Sequence, residues 1–309
     1  MQQHLTIESK LISTLDDVTP AVLSAMAGTQ DPRLRTIMES ATRHLHAFIL
    51  ETRPTEAEFE TALQWIAALG HHTDETNNEV VLAADVLGAS TLIDLINNDG
   101  MQGETMSALL GPFYRGKAPD CSCGDCIARS KTPGPKLFFK GRVTGVDGAP
   151  IAGAQLDVWQ ASPVGLYENQ DPDQDDFNLR GVFRTDADGS FHFTSVKPAG
   201  YPVPTDGPVG DLLRAQRRHP MRPAHIHFIV SAPGHKTLIT QIFSDTPEAL
   251  AGDVVFGAKQ QIVGDFVEHR EPHPDYPDVP LPFFTCEYQF RLTPGEPSYP
   301  VPPISGTKS

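Results

Sequence analysis

Several features are scarce in this 309-residue chain, and each scarcity excludes a class of protein. Its four cysteines are too few for a secreted scaffold held by disulfides. Only 24 lysines and arginines face 39 aspartates and glutamates, and the net charge of −15 makes nucleic acid and anionic membranes unfavourable partners. No apolar run approaches the roughly 18 residues of a membrane-spanning helix, and no secretory signal is visible. These absences predict a cytoplasmic protein with reduced thiols and no membrane insertion.

Proline and glycine are unevenly distributed along the chain. Residues 1–110 hold three of the 28 prolines and five of the 25 glycines. A low content of proline and glycine suits helices, whereas a high content suits short strands and turns. We therefore predict an α+β fold that is mainly β, with a helical N-terminal domain at 1–110 and an antiparallel β-sandwich domain at 111–309.

The spacing of apolar residues predicts individual elements within this plan. Thr55 and Glu58 form a capping box that begins one of the helices, and Gly88 interrupts the last two. The predicted helices are 34–50, 55–69, 79–87 and 89–97. The predicted strands are 137–143, 154–159, 182–185, 191–195, 224–230, 238–243 and 284–292. We expect 182–185 and 191–195 to form a hairpin through the turn residues 186–189.

A pair of histidines gives the sharpest local signal for chemistry. Alternate residues of a strand share a face, so His225 and His227 should project together while Ile226 points to the opposite side. Two adjacent imidazoles are a common way to hold a transition metal. Two half-buried structural histidines are the alternative, and the local pattern does not decide between them.

The residues that would complete a metal site are less obvious. A cupin-type carboxylate after the second histidine is missing, because Ser231 and Ala232 stand there. Tyrosine is the remaining candidate ligand, but spacing cannot choose among six tyrosines. Separately, Cys121, Cys123 and Cys126 form a C-x-C-x-x-C cluster that either binds structural zinc with the distant Cys286 or is an exposed loop.

A series of motifs, in order along the chain, resembles the intradiol ring-cleaving catechol dioxygenases. They include LGPFYRGKAP at 110–119, GRVTGVDGAPIAGA at 141–154, GLY at 165–167, LRG at 179–181, GYPVP at 200–204 and RPAHIH at 222–227. The similarity runs from about residue 30 to about residue 270. It implies an enzyme that uses O₂ to open a small aromatic diol or triol, with the sandwich as the catalytic domain.

The resemblance also implies a set of site residues. One Fe(III) per subunit would be held by Tyr167, Tyr201, His225 and His227. Tyr201 would leave the metal when substrate binds and accept a proton, Arg222 would stabilise negative charge on the ring, and Gln241 would lie beside the iron. The implied substrate pocket comprises Leu82, Asp85, Leu109, Leu110, Gly111, Pro112, Phe113, Val203, Pro204 and Val255.

Asp85 helps to distinguish between the substrates used within this family. It is the one charged residue between Val80 and Ile93, and an isolated carboxylate in so apolar a run needs a partner. The resemblance favours the hydroxyquinol type, which opens benzene-1,2,4-triol to 3-hydroxy-cis,cis-muconate or maleylacetate, with Asp85 accepting the extra hydroxyl. A catechol or chlorocatechol enzyme is the alternative within the family.

Two further expectations concern partners. The family resemblance implies a homodimer built through the N-terminal helices, with an apolar channel that can hold a lipid tail. In another class altogether, the sandwich would be a non-catalytic binding module, and its histidines would be structural.

Overall fold

The computed structural model describes residues 11–74, 77–98 and 103–304. The chain separates into two compact units, residues 1–66 and 67–309. The expected division near residue 110 stays a prediction. Within the described residues, no helix combines the length and the apolar character needed to cross a membrane.

The helices begin and end close to where the apolar spacing places them. In the first unit, α1 (Leu15–Ala25) packs on α2 (Pro32–Thr52), whose first turn is capped by Asp31. The predicted capping box is present before α3 (Glu56–His71), since the Thr55 backbone N–H donates to Glu58 Oε2 at 2.8 Å. Helix α1 was not predicted.

Two short helices of the second unit follow, and they are separated where the sequence indicates. Helix α4 (Glu79–Val86) is largely buried, and α5 (Ala89–Asn97) continues after Gly88. Gly88 has a φ of +74°, which most side chains avoid and glycine adopts readily. The predicted break at this glycine is therefore confirmed.

Two four-stranded sheets form the sandwich. One has the order β4 (Ser190–Val196), β1 (Lys136–Gly145), β10 (Phe283–Leu292), β9 (Phe266–His269). The other has the order β3 (Arg180–Arg184), β2 (Gln155–Trp159), β7 (His225–Ser231), β8 (Leu238–Phe243). A two-stranded ladder pairs β5 (Tyr201–Pro202) with β6 (Met221–Arg222), and helices α6 (Pro208–Ala215) and α7 (Pro247–Ala251) lie in the connections. The pairing is antiparallel except that β1 and β10 run parallel.

The predicted hairpin of 182–185 with 191–195 is wrong. Strand β3 pairs with β2, whereas β4 pairs with β1 in the other sheet. The turn itself exists, because the Gly189 N–H donates to the Asp186 carbonyl at 3.0 Å. The chain therefore crosses from one sheet to the other at this turn.

The core lies between the two sheets and is rich in aromatic rings. Phe139 stacks on Phe193 at 5.1 Å, and Phe228 contacts Phe290 at 4.9 Å across the layers. Ile226 belongs to this core and is fully buried. Because Ile226 faces the core, its neighbours His225 and His227 are directed to the other face of β7.

Candidate active site

The two histidines of β7 lie side by side, as their spacing predicts. Their Nε2 atoms are 3.0 Å apart, and both side chains are almost fully buried. The Pro223 carbonyl lies 2.7 Å from His225 Nδ1, which fixes the ring and directs Nε2 towards the site. The His227 ring stacks on Trp159, with centroids 4.6 Å apart and planes 8° apart.

Two tyrosines approach these histidines from different parts of the chain. Tyr167 lies in the loop after β2, and its hydroxyl is 3.0 Å from His227 Nε2. Tyr201 lies on β5, and its hydroxyl is 3.1 Å from that of Tyr167. Both are buried. The four ligands implied by the resemblance are thus brought together, whereas Tyr114, Tyr276, Tyr288 and Tyr299 are not part of this group.

This donor set fits ferric iron. Two phenol oxygens and two imidazole nitrogens converge within hydrogen-bond distance of one another. Imidazole is a good ligand for iron, and an ionised phenol adds a hard, anionic oxygen. Two phenolates would also offset most of the charge of a trivalent cation in a buried cavity, where uncompensated charge is costly.

Burial sets the protonation states of these groups. Burial, together with the positive charge of Arg222, lowers the pKa of His225 to about 3, and the pKa of His227 is also well below its ordinary value. Both imidazoles are therefore neutral near pH 7, the form that binds a metal. Burial raises the pKa of Tyr167 and of Tyr201, so both phenols hold their protons by themselves, and a cation that binds here would have to displace those protons.

Arg222 lies beside the histidines in a buried network. Strand pairing places Arg222 opposite Tyr201, and Arg222 Nη1 is 3.1 Å from His225 Nε2. Asp253 receives the guanidinium at both carboxylate oxygens, from Nε at 3.1 Å and from Nη2 at 3.1 Å. Burial opposes both charges, yet this pairing holds the pKa of Asp253 below its ordinary value and that of Arg222 above it.

Gln241 joins this network from β8. The strand register places it opposite His227, and its side-chain oxygen accepts from Arg222 Nη2 at 2.9 Å. Its amide nitrogen donates to the Leu109 carbonyl at 2.6 Å. Gln241 therefore connects the arginine to the loop at 109–113, which is one wall of the implied substrate pocket.

The structure places several of the implied pocket residues near the donors. A Cβ on Gly111, which has a φ of +76°, would lie 3.6 Å from the His227 ring. The ring of Phe113 is 4.8 Å from that of Tyr167. Leu109 and Leu110 also line a cavity of about 460 Å³ beside α4 and α5, and Pro204 lines another of about 380 Å³. Leu82, Pro112, Val203 and Val255 are buried, and their contact with substrate stays a prediction.

Asp85 is buried on α4, as its apolar surroundings suggest. Its side chain is 4% exposed and hydrogen-bonds with Ser90. Burial raises its pKa to about 6, although the nearby charge of Arg222 acts in the opposite direction. Asp85 therefore lies within the electrostatic range of the site and is ionised at neutral pH.

The cysteine cluster does not form a metal site. Cys121, Cys123 and Cys126 have separate partners, the carbonyls of Pro119, Arg184 and Ala128. Cys286 is buried in the sandwich core. Among the described residues, no group of three histidine, cysteine or acidic side chains could hold a metal ion. The zinc hypothesis is therefore wrong, and the exposed-loop alternative holds only for Cys126, because Cys121 and Cys123 are half-buried against the core.

Asp253 is a site residue that the sequence did not reveal. Besides Arg222, it accepts backbone N–H groups from Val255, Gly257 and Ala258 at 3.0–3.3 Å. The sequence signal is an aspartate followed four residues later by glycine, and a Cβ on Gly257 would lie 3.1 Å from Arg222 Nη2. This sequence pattern is too common to identify a site residue by itself.

Removing the charge of Asp253 should destabilise the protein strongly. Asp253→Asn would leave the buried guanidinium of Arg222 without a counter-ion, which costs about 3–5 kcal/mol. We expect a drop of this size in the free energy of unfolding, measured with urea. The exposed Asp211 provides the control, and Asp211→Asn should change little. Equal stability of the two variants would contradict the role assigned to Asp253.

The chain is similar to known proteins over most of its length. The sequence model of the family described as "Dioxygenase" matches residues 109–294, and that described as "Catechol dioxygenase N terminus" matches residues 31–105. A hydroxyquinol 1,2-dioxygenase of Rhizobium sp. is 44% identical, over 79% of this chain and 83% of that protein. A catechol 1,2-dioxygenase of Candida albicans is 39% identical, over 80% and 83%. The structure of a hydroxyquinol 1,2-dioxygenase from Pseudomonas putida has a TM-score of 0.83 and 37% identity, covering 91% of this chain and 99% of that one.

These matches cover most of the chain, and they define its class. The chain belongs to the intradiol ring-cleavage dioxygenases and is an enzyme of that family. Aromatic substrates and O₂ fit such an enzyme, and the family uses non-haem iron. The alternative of a non-catalytic binding module is therefore wrong.

Proposed function

We propose that the protein cleaves hydroxyquinol, benzene-1,2,4-triol, between its two adjacent hydroxylated carbons. One Fe(III) per subunit would be held by Tyr167, Tyr201, His225 and His227. The observation that carries the proposal is the convergence of these four buried side chains. Both atoms of O₂ enter the product, 3-hydroxy-cis,cis-muconate or its keto form maleylacetate, so the equation balances without another reductant.

Residues of the chain would supply the proton transfer and the charge stabilisation that the reaction needs. The bound iron would act as a Lewis acid towards the substrate hydroxyls. Tyr201, freed when substrate binds, would take a proton from a substrate hydroxyl at its own phenol oxygen. Arg222, fixed by Asp253 and Gln241, would stabilise the negative charge that develops on the ring. The buried walls exclude water from these charges.

Asp85 is the residue that points to hydroxyquinol rather than catechol. A buried, ionised carboxylate is a strong hydrogen-bond acceptor. The third hydroxyl of hydroxyquinol would donate a further hydrogen bond to it besides that of Ser90, whereas catechol has no hydroxyl for this place. The hydroxyquinol 1,2-dioxygenases among the relatives favour the same substrate. Catechol is the second candidate, because the Candida relative carries that name at 39% identity.

Removing the Asp85 carboxylate should change substrate preference. We expect Asp85→Ala to lower the ratio of kcat/KM for hydroxyquinol to that for catechol by roughly 10- to 100-fold, the loss of one charged hydrogen bond. Oxygen uptake with each substrate measures the ratio, and Asp211→Ala is the matched control. An unchanged ratio would contradict the assignment.

The pH dependence of this preference tests the same carboxylate. The pKa of Asp85 is about 6, so the carboxyl gains a proton as the pH falls through that value. Arg222 and Asp253 are the charges that act on it. Both keep their charge over this range, because their pairing raises the pKa of Arg222 and lowers that of Asp253. We expect the preference of the wild-type enzyme to decline below about pH 6, and the decline to be absent in Asp85→Ala.

We also propose that the enzyme is a homodimer through its N-terminal helices. Helix α2 exposes large apolar side chains, and Leu45 and Phe48 are each more than half exposed. Helix α5 likewise exposes Leu92, Ile93 and Ile96. Apolar patches of this kind mark interaction sites. A lipid tail is a second occupant for them, and the cytoplasmic location stays a prediction. Sedimentation as a monomer at micromolar concentration would contradict dimerisation.

A further inference from the structure

A buried ionic cluster lies directly next to Tyr167 in the chain. The side chain of Glu168 is fully buried between two buried arginines. Arg180 Nε donates to Glu168 Oε2 at 2.7 Å, and Arg115 Nη1 donates to Glu168 Oε1. Arg115 also donates to Asp176 at 2.8 Å. Such clusters add little net stability compared with apolar packing, so stability alone does not account for this one.

Arg180 is the member of this cluster that contacts the tyrosine ring. Its guanidinium carbon is 5.7 Å from the centroid of the Tyr167 ring, in the range of a cation–π contact. Its Nη2 donates to the Phe113 carbonyl at 2.8 Å, and the Phe113 ring itself packs on Tyr167 at 4.8 Å. Arg180 thus contacts the ring of Tyr167, the side chain of Glu168 and the backbone of Phe113, whose ring packs on Tyr167.

Arg180 is buried and held by hydrogen bonds, although its side chain is long. It belongs to β3, with 1% of its surface exposed, and its Nη1 is buried without an acceptor among the described residues. A guanidinium with an unpaired N–H in the interior is costly. The fold therefore accepts a free-energy cost to keep a positive, forked side chain at this point.

Tyr201 is held differently. It lies on the two-residue strand β5, and the neighbouring Pro202 is exposed. Its partner in the ladder is Arg222, whose guanidinium donates hydrogen bonds to Asp253 and Gln241. The ring of Tyr167 thus contacts Arg180, which lies on β3 and is bound to Glu168, whereas Tyr201 is paired with Arg222 in a two-stranded ladder.

We propose that Arg180, with Glu168 and Arg115, is a positioning residue that fixes the phenol of Tyr167, and that this fixation makes Tyr167 the tyrosine that stays in place when substrate binds. The inference rests on the proposed iron site. Arg180 acts through Tyr167 and does not touch the substrate. Outer partners of this kind commonly change metal affinity by roughly 10- to 100-fold when they are replaced.

The test compares Arg180→Lys and Glu168→Gln with the control Arg184→Lys. Arg184 lies on the same strand and is exposed. For each iron-loaded protein, the rate of iron loss to a chelator is measured. The tyrosinate-to-iron absorption band is then recorded with hydroxyquinol in the absence of O₂. Circular dichroism and the thermal midpoint report on folding.

We expect iron loss to be roughly 10- to 100-fold faster in Arg180→Lys and Glu168→Gln than in wild type, and the remaining tyrosinate band to weaken in their substrate complexes. Arg184→Lys should match wild type. Folded variants with wild-type iron retention and bands would overturn the proposal, as would a failure of both variants to fold, which would assign the cluster to stability alone. A wild-type protein without any tyrosinate band would instead contradict the proposed iron site.

Discussion

Replacing Arg222 by lysine is expected to lower kcat by roughly 100- to 1000-fold, the usual effect of removing one group that stabilises developing charge. Lysine keeps a positive charge beside Asp253 but cannot form the two-point contact with both carboxylate oxygens. Lysine also lacks the planar guanidinium through which Arg222 donates to Gln241 and Asp253 together. Steady-state kinetics with hydroxyquinol would measure kcat and KM separately.

The iron content of this variant is the informative control. Arg222 is not among the four proposed ligands, so Arg222→Lys should retain iron and the colour of the resting protein. The exposed Arg214 offers a matched substitution, and Arg214→Lys should have normal kinetics. If Arg222→Lys kept kcat within a few-fold of wild type, the need for the planar, two-point guanidinium at this position would be refuted.

Replacing His227 by alanine is expected to abolish iron binding and activity together. Its Nε2 is within about 3 Å of both Tyr167 and His225, so its loss opens the centre of the donor set. We expect activity to fall by at least about 1000-fold, because the several kcal/mol that a metal contributes to the reaction are lost. Iron per subunit, measured on the purified protein, should fall towards zero.

His192 serves as the control for this substitution. It lies exposed on β4 in the opposite sheet. His192→Ala should therefore keep both iron and activity. Normal iron content in His227→Ala would rule out His227 as a ligand, whatever its effect on activity.

Much of the fold could be predicted from the sequence because local signals agree with the final packing. The capping box at Thr55 and the break at Gly88 are satisfied by contacts within a few residues. Alternate residues of a strand point to opposite faces, and Ile226 lies in the core, so His225 and His227 share the other face. The convergence of the tyrosines could not be derived from spacing, since Tyr167 and Tyr201 meet only through the tertiary fold.

Pairing between distant segments was harder to predict. The turn at 186–189 has the residues of a hairpin, yet these residues specify only the reversal of the chain and not which sheet receives the next strand. Strand β4 pairs with β1 within one sheet, and its side chains Phe191 and Phe193 are buried in the core between the two sheets. The parallel pairing of β1 with β10 has no local signature, because their registers are set by the sandwich as a whole.

The polar residues behind the site were missed for a related reason. Asp253, Glu168 and Arg180 read as ordinary charged positions in a sequence, and each becomes informative only once it is known to be buried. Their charged partners lie far away along the chain: the separation is 12 residues for Arg180 and Glu168, 31 for Arg222 and Asp253, and 53 for Arg115 and Glu168. By contrast, Asp85 was noticed because its neighbours in the helix are themselves apolar.

The most direct test of the account is the visible absorption spectrum of the purified, aerobic protein, recorded before and after hydroxyquinol is added without O₂. Two tyrosines on ferric iron should give a broad charge-transfer band and a red-brown colour, and hydroxyquinol should shift the band to longer wavelength far more than catechol does. A colourless protein that nevertheless contains iron would contradict the assignment of Tyr167 and Tyr201 as ligands.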